Sequence, residues 1–91
     1  MENQHRKIKG YRELSQVEID LMNQIKEKGL ELAELVTAIK AHHANQFLEA
    51  TDDEIVRLNE CQPERWCAIG KTHFQEGLMA LTRSVAQPGF F

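Results

Sequence analysis

Apolar residues recur every three or four positions through most of the chain, a spacing typical of amphipathic helices. The first stripe follows Ser15-Gln16-Val17-Glu18, a capping box in which the Ser15 hydroxyl and the Glu18 carboxylate each accept a backbone N–H. This pattern predicts a long helix over residues 15–44. The stripe itself consists of Val17, Leu21, Ile25, Leu32, Leu35 and Ile39.

Two further helices are predicted after the first. Thr51-Asp52-Asp53-Glu54 is a second capping box, and it begins a short helix over residues 52–61. Pro63 suits the first turn of a third helix, over residues 63–87. The intervening stretch HHANQFLEA is compatible with a loop or a frayed helix. No alternation typical of β strands competes with this interpretation.

The predicted fold is all-α: an elongated antiparallel hairpin with the short helix at its tip and a basic N-terminal arm, residues 1–14, in one domain, residues 1–91. The first helix would be roughly 40 Å long, which exceeds the diameter of a compact chain of this length. Apolar residues lie on more than one face of each long helix. Because two helices share one interface, this surplus predicts a homo-oligomer.

Three glycines interrupt the predicted long helices: Gly29, Gly70 and Gly77. Each costs about 1 kcal/mol relative to alanine in a helix interior. We therefore expect a compensating feature at these positions. The simplest is a close approach of another helix, and a kink or a ligand would serve as well.

Composition narrows the classes of function. The 91 residues carry a net charge of −3, and 42% of them are hydrophobic, as in an ordinary soluble domain. The acidic balance argues against a duplex nucleic-acid partner. No apolar run is long enough to cross a bilayer, and the charged N-terminus differs from a signal peptide. These features predict a cytoplasmic protein without a membrane partner.

Candidate catalytic groups are His42, His43 and His73 as bases, with Ser15 or either cysteine as the nucleophile. The chain contains no nucleophile elbow, no Gly-rich phosphate loop and no pair of acidic residues at positions typical of a catalytic site. Ordinary surface or core roles are therefore favoured for these side chains. The prediction is that the protein is not an enzyme.

Cys61, Cys67 and His73 are the candidate metal ligands. Successive members lie six residues apart, whereas zinc ligands usually pair across gaps of roughly two to four residues. Six-residue spacing on a helix directs side chains differently. We predict neither a metal nor a cofactor, and we expect the cysteines to be reduced.

The N-terminal arm combines cations with an aromatic ring. Residues 1–12 contain four Lys or Arg residues and one acid, and Lys9 and Arg12 flank Gly10-Tyr11. Tyrosine can stack on a nucleotide base, cations neutralise phosphate, and glycine permits close backbone approach. Lys26 lies at the edge of the first apolar stripe. From spacing alone, a solvated arm and a pairing of Lys26 with a nearby Glu are favoured.

The last helix offers a second set of polar groups. Arg65, Lys71 and Thr72 carry cationic and hydroxyl donors that suit phosphate oxygens. Trp66, the single tryptophan, is interpreted as a core anchor near the start of that helix.

Two long blocks, KGYRELSQVEIDLMNQIK (residues 9–26) and ERWCAIGKTHFQEGLMALTRSVAQP (residues 64–88), resemble the phage anti-CBASS cyclic-oligonucleotide sponges. These sponges share a hairpin domain with an anti-Thoeris sponge. The resemblance implies a homohexamer that binds cyclic dinucleotides such as 3′,3′-cyclic GMP-AMP in the cytoplasm of the infected bacterial host. Such a protein releases the ligand intact and blocks immune signalling by sequestration.

The resemblance also implies roles for particular residues. Tyr11 would stack on a base and Lys26 would contact a phosphate, and Lys9, Gly10 and Arg12 are predicted to complete that wall of the pocket. Some members also hold cyclic trinucleotides such as cyclic tri-AMP. Residues predicted for that second pocket are Arg65, Lys71 and Thr72. The alternative function is a helical interaction or assembly module whose basic arm docks an acidic partner.

Overall fold

A computed structural model describes residues 12–90, which form three helices. Helix α1 spans Gln16–Glu49, α2 spans Asp52–Cys61 and α3 spans Pro63–Ala86. Helix α1 packs along α3, and the start of α1 lies beside the end of α3. The predicted all-helical, elongated hairpin is confirmed.

The helices begin where the sequence places their caps. The Glu18 N–H donates to the Ser15 hydroxyl at 3.2 Å, and the Ser15 N–H donates to the Glu18 carboxylate at 2.8 Å. Both halves of the predicted capping box are therefore present at α1. At α2 the Glu54 N–H donates to the Thr51 hydroxyl at 3.3 Å.

Helix α1 continues to Glu49, beyond its predicted end at residue 44. Nothing in the segment HHANQFLE breaks a helix, because it contains neither glycine nor proline. The chain leaves the helix at Ala50, whose ψ of 142° is extended, and Thr51 then caps α2. Helix α1 therefore ends because the N-cap residue of α2 must be extended, and not because the preceding residues have a low helix propensity.

The molecule is long and thin. Its principal extents are 61, 23 and 20 Å, and its radius of gyration is 19.7 Å. A compact domain of this length would have a radius of gyration of about 12 Å. At 1.5 Å per residue, the 34 residues of α1 account for about 51 Å of the long dimension.

The hydrophobic core of a single chain is very small. Among the described residues, only Val36 and Leu58 are buried hydrophobics. Two helices lying side by side cover one seam, and their other apolar faces stay in contact with water. Large hydrophobic side chains left exposed are Val17, Ile19, Leu21, Leu30, Leu35, Leu48, Val56, Trp66, Phe74, Met79, Leu81 and Phe90.

The expected compensation for a helical glycine is found at Gly29. A Cβ atom built on Gly29 would lie 3.3 Å from Leu78 Cδ1, so the absent side chain lets α1 and α3 approach closely. Apart from the adjacent residues and the backbone of the same helix, no described atom lies within 4 Å of a Cβ built on Gly70 or Gly77. Within one chain, close packing therefore explains the first glycine and not the other two.

Candidate ligand-binding site

The seam between α1 and α3 is flanked by grooves, and the first of them contains Lys26. We call it the Lys26 groove. It has a volume of about 540 Å³, and its surface is largely apolar. Its lining residues are Met22, Asn23, Ile25, Lys26, Gly29, Leu78, Met79 and Thr82.

A second groove, of about 230 Å³, extends the first toward the hairpin tip. Gly29 and Leu78 line both grooves, and Lys26 and Lys40 lie on the same face of α1 as Gly29, so the two grooves follow one another along the same side of the seam. We call this one the Lys71 groove. Its lining residues are Gly29, Leu32, Ala33, Val36, Thr37, Lys40, Lys71, Phe74, Gln75 and Leu78.

A third groove contains Lys28 beside Leu21 and Val85 and shares Ile25 and Leu78 with the Lys26 groove. Lys28 lies two residues from Lys26, about 200° around α1, so this groove lies on the opposite side of the seam. Lys28 Nζ pairs with the Glu31 carboxylate at 3.3 Å, one turn away. No carboxylate within residues 12–90 pairs with Lys26, although nearby acids were the favoured alternative.

Arg12 links the start of α1 to the end of α3, at the open end of the hairpin. Its Nε donates to the Ala86 carbonyl at 3.1 Å, and its Nη2 donates to the Val85 carbonyl at 2.8 Å. The same guanidinium forms a two-point ion pair with Glu18, in which Nη1 donates to Oε1 at 3.1 Å and Nη2 donates to Oε2. The other predicted arm residues, Lys9, Gly10 and Tyr11, lie outside the described residues.

Electrostatics favours this arrangement of Arg12 and Glu18. The hydrogen bond from Arg12, supported by the Ser15 N–H, lowers the pKa of the Glu18 carboxyl from its ordinary value of 4.5 to about 2. Glu18 lies in the first turn of α1, where the helix dipole stabilises an anion. Arg12 contacts carbonyls at the end of α3, where the dipole stabilises a cation.

The second predicted set of residues is not gathered within one chain. Lys71 faces the Lys71 groove, whereas Thr72 lines a separate shallow pocket on α3. Consecutive helical residues point about 100° apart, which accounts for this separation. Arg65 Nη1 donates to the Gln62 side chain at 3.3 Å, and the Arg65 guanidinium lies 5.1 Å from the Trp66 ring centre.

The interpretation of Trp66 as a core anchor is wrong. Its side chain is 59% exposed, because neither α1 nor α2 of the same chain covers it. Trp66 instead contributes an aromatic surface that contacts the Arg65 guanidinium.

The histidines and cysteines in the described part of the chain form no metal-binding cluster and no disulfide. The His42 and His43 rings lie 6.0 Å apart between centres, and Cys61 and Cys67 are both free thiols. No group of three metal-ligating side chains was found among residues 12–90. A search of the same residues found no helix long and apolar enough to cross a membrane.

Sequence reasoning missed two features of this surface. Lys40 joins Lys71 in its groove, and the helical repeat from Lys26 through Gly29, Ala33 and Lys40 along α1 could have indicated it. The pairing of Glu18 with Arg12 had no local signal. It depends on the end of α3, which is distant in the sequence.

Residues 12–90 thus define a class of small, elongated helical hairpins with apolar grooves along the seam between the long helices. A family model, the hairpin domain of Acb2/Tad1, matches residues 3–86, and the chain belongs to this family. The chain is also 43% identical to anti-CBASS protein 2 of Pseudomonas phage JBD67 over 105 aligned positions, which cover 97% of each protein. The family predicted from the two sequence blocks is confirmed.

Proposed function

We propose that this protein binds cyclic dinucleotides and holds them without cleaving them, so that the CBASS immune signal of an infected bacterium does not reach its effector. One observation carries the proposal: Lys26, which pairs with no carboxylate among residues 12–90, lies in an apolar groove of a chain whose 43% identical relative is named an anti-CBASS protein. The ligand class comes from the resemblance of residues 9–26 and 64–88 to cyclic-oligonucleotide sponges.

The Lys26 groove suits one phosphate and one base. The Lys26 ammonium would neutralise a phosphate oxygen, and a charge-assisted hydrogen bond is among the stronger polar contacts in proteins. Ile25, Leu78 and Met79 provide an apolar surface against which the edge of a base can pack. Tyr11, from the arm, would stack on the face of the base.

The proposal includes assembly into a homohexamer. A cyclic dinucleotide carries two phosphates and two bases, so two copies of Tyr11 and Lys26 match it better than one. Association would also cover exposed apolar side chains such as Leu30 and Met79, which are 63% and 69% exposed in one chain. Gly70 and Gly77 leave room on α3 for a neighbouring helix.

Sequestration places a kinetic demand on the site. A sponge removes one ligand for each site that it fills, so it works only if release is slow compared with signalling. Lysine–phosphate contact and stacking both oppose release, and neither alters the covalent bonds of the ligand.

The test of the site is titration of 3′,3′-cyclic GMP-AMP into the wild type and into the Tyr11→Ala and Lys26→Ala variants. Each substitution is expected to weaken binding by about 10- to 100-fold, which is the cost of losing a charge-assisted or stacking contact. Wild-type affinity in both variants would refute the assignment of the pocket.

Lys28→Ala is the matched control. Lys28 lies two positions from Lys26 and has the same charge, but it lies on the opposite side of the seam and is paired with Glu31. It is expected to bind with wild-type affinity. The mass of each variant in solution, measured by light scattering, should equal that of the wild type, so that lost binding cannot be ascribed to lost assembly.

A further inference from the structure

Arg12 is the residue at which the arm meets the folded hairpin. Its guanidinium contacts three parts of the chain at once: the Glu18 carboxylate on α1 and the carbonyls of Val85 and Ala86 on α3. We call this group of four residues the clasp. The side chain of Arg12 is 37% exposed to solvent and that of Glu18 is 22% exposed, so both are partly buried.

The clasp uses nearly all the hydrogen-bonding capacity of Arg12. A guanidinium has five N–H groups, and four of them donate within the chain. One N–H on Nη1 is left for any other acceptor. A strong two-point contact with a ligand phosphate would therefore require the clasp to open.

The partners of Arg12 are groups that the hairpin would otherwise leave unsatisfied. The carbonyls of Val85 and Ala86 belong to the last turn of α3, where no following turn of helix exists to donate to them. Gln87, the residue after the helix, donates its N–H to the Arg83 carbonyl instead. Arg12 thus caps α3 from the other end of the sequence.

We propose that Arg12 and Glu18 position the arm for ligand binding and that Arg12 does not itself contact the ligand. This inference rests on the proposed function, because it concerns how the Tyr11 side of the same pocket is held. Tyr11 directly precedes Arg12 in the sequence, so Arg12 is where the described hairpin meets the residue proposed to stack on the base. An arm held before binding loses less conformational entropy when the ligand arrives.

Glu18→Gln is the informative substitution. Glutamine serves as well as glutamate at this position of a capping box, so the Ser15 cap is kept while the charge that holds Arg12 is removed. Under the positioning role, Glu18→Gln and Arg12→Gln each weaken binding of 3′,3′-cyclic GMP-AMP by about tenfold, and the double variant is no weaker than either single variant.

Arg12→Lys separates positioning from contact with the ligand. Lysine keeps the charge but cannot reach a carboxylate and two carbonyls together, so a positioning role predicts the same tenfold loss as Arg12→Gln. A phosphate contact, by contrast, would tolerate lysine and would be indifferent to Glu18. Affinity near that of the wild type for Arg12→Lys, or for Glu18→Gln, would overturn the inference.

The chain offers a matched control in α2. Glu54 also follows a capping residue by three positions and also pairs with an arginine, since Arg57 Nη2 lies 2.8 Å from its carboxylate. Glu54→Gln and Arg57→Gln remove an ion pair of the same kind far from the arm, and both are expected to bind as the wild type does. A comparable loss in these controls would show a general effect of stability and overturn the positioning role.

All titrations are made well below the unfolding midpoint of each variant, with helix content checked by circular dichroism. If the wild type binds none of a panel of cyclic dinucleotides, the proposed function fails and the positioning role fails with it. If the wild type binds and Glu18→Gln binds equally well, only the positioning role fails.

Discussion

Leu58 and Leu48 differ greatly in how much each contributes to the packing of one chain. Leu58, on α2, is 3% exposed, whereas Leu48, near the end of α1, is 82% exposed. Only two large hydrophobic side chains are buried among residues 12–90, so each carries an unusual share of the packing free energy of one chain. Leu58 is also the buried residue of α2.

Leu58→Ala should lower the free energy of unfolding by about 2 to 4 kcal/mol, because it removes buried methyl groups and leaves a cavity. Leu48→Ala, the same substitution at an exposed position, should change it by less than about 0.5 kcal/mol. Chemical denaturation of both variants measures the difference. Equal losses would show that Leu48 is covered in the assembled protein, contrary to this prediction.

Lys26 illustrates what the sequence could and could not tell about the site. Its place at the edge of the apolar stripe followed from helical spacing, and the structure locates it in a groove beside that stripe. Whether it pairs with a neighbouring Glu could not be decided from spacing, since Lys28, two residues away, does so. Charge pairing on a helix depends on rotamers and on the opposing helix as well as on sequence distance.

The helices themselves were largely predictable because their starts are encoded locally. Ser15 and Thr51 cap α1 and α2 within four residues of sequence, and the short helix has its predicted bounds. The end of α1 was not predictable in the same way, since HHANQFLE is compatible with either helix or loop. The separation of Lys71 from Thr72 would have followed from the helical repeat alone.

The clasp between α1 and α3 was beyond sequence reasoning. Arg12 and Glu18 were recognised separately, as an arm cation and as a capping residue. Their pairing requires the end of α3 to lie beside the start of α1, and Val85 and Ala86 are more than seventy positions away. Backbone carbonyls at a helix end have no signature in the sequence that would identify their donor.

The clasp should make stability depend on pH in the acid range. The pKa of Glu18 is lowered in the folded chain to about 2 from an ordinary 4.5, so the folded state binds its proton less readily than the unfolded state. Its stabilising contribution is therefore complete above about pH 5 and is lost as the pH falls from 4.5 toward 2.

Thermal unfolding of the wild type and of Glu18→Gln measures this contribution. The wild type should have the higher midpoint at neutral pH, and the difference should shrink through this range and nearly vanish by pH 2. A difference that stays constant down to pH 2 would mean that the charge of Glu18 does not stabilise the fold.

The whole molecule is an elongated rod, and its buried hydrophobic core is small for a chain of this length. The radius of gyration is 19.7 Å, and among residues 12–90 only two large hydrophobic side chains are buried, so most apolar surface is uncovered in one chain. The proposed homohexamer would cover part of this surface. The surplus of apolar faces was visible in the sequence, but the number and arrangement of copies is not encoded in any local pattern.

The central claim is that the protein captures a cyclic dinucleotide and keeps it intact. The most direct measurement is calorimetric titration of 3′,3′-cyclic GMP-AMP into the wild-type protein, followed by heating of the complex and chromatography of the released nucleotide. We predict tight binding and complete recovery of the unaltered cyclic dinucleotide. Linear products would instead indicate hydrolysis. No binding across a panel of cyclic dinucleotides would contradict the claim and direct attention to an acidic protein partner for the arm.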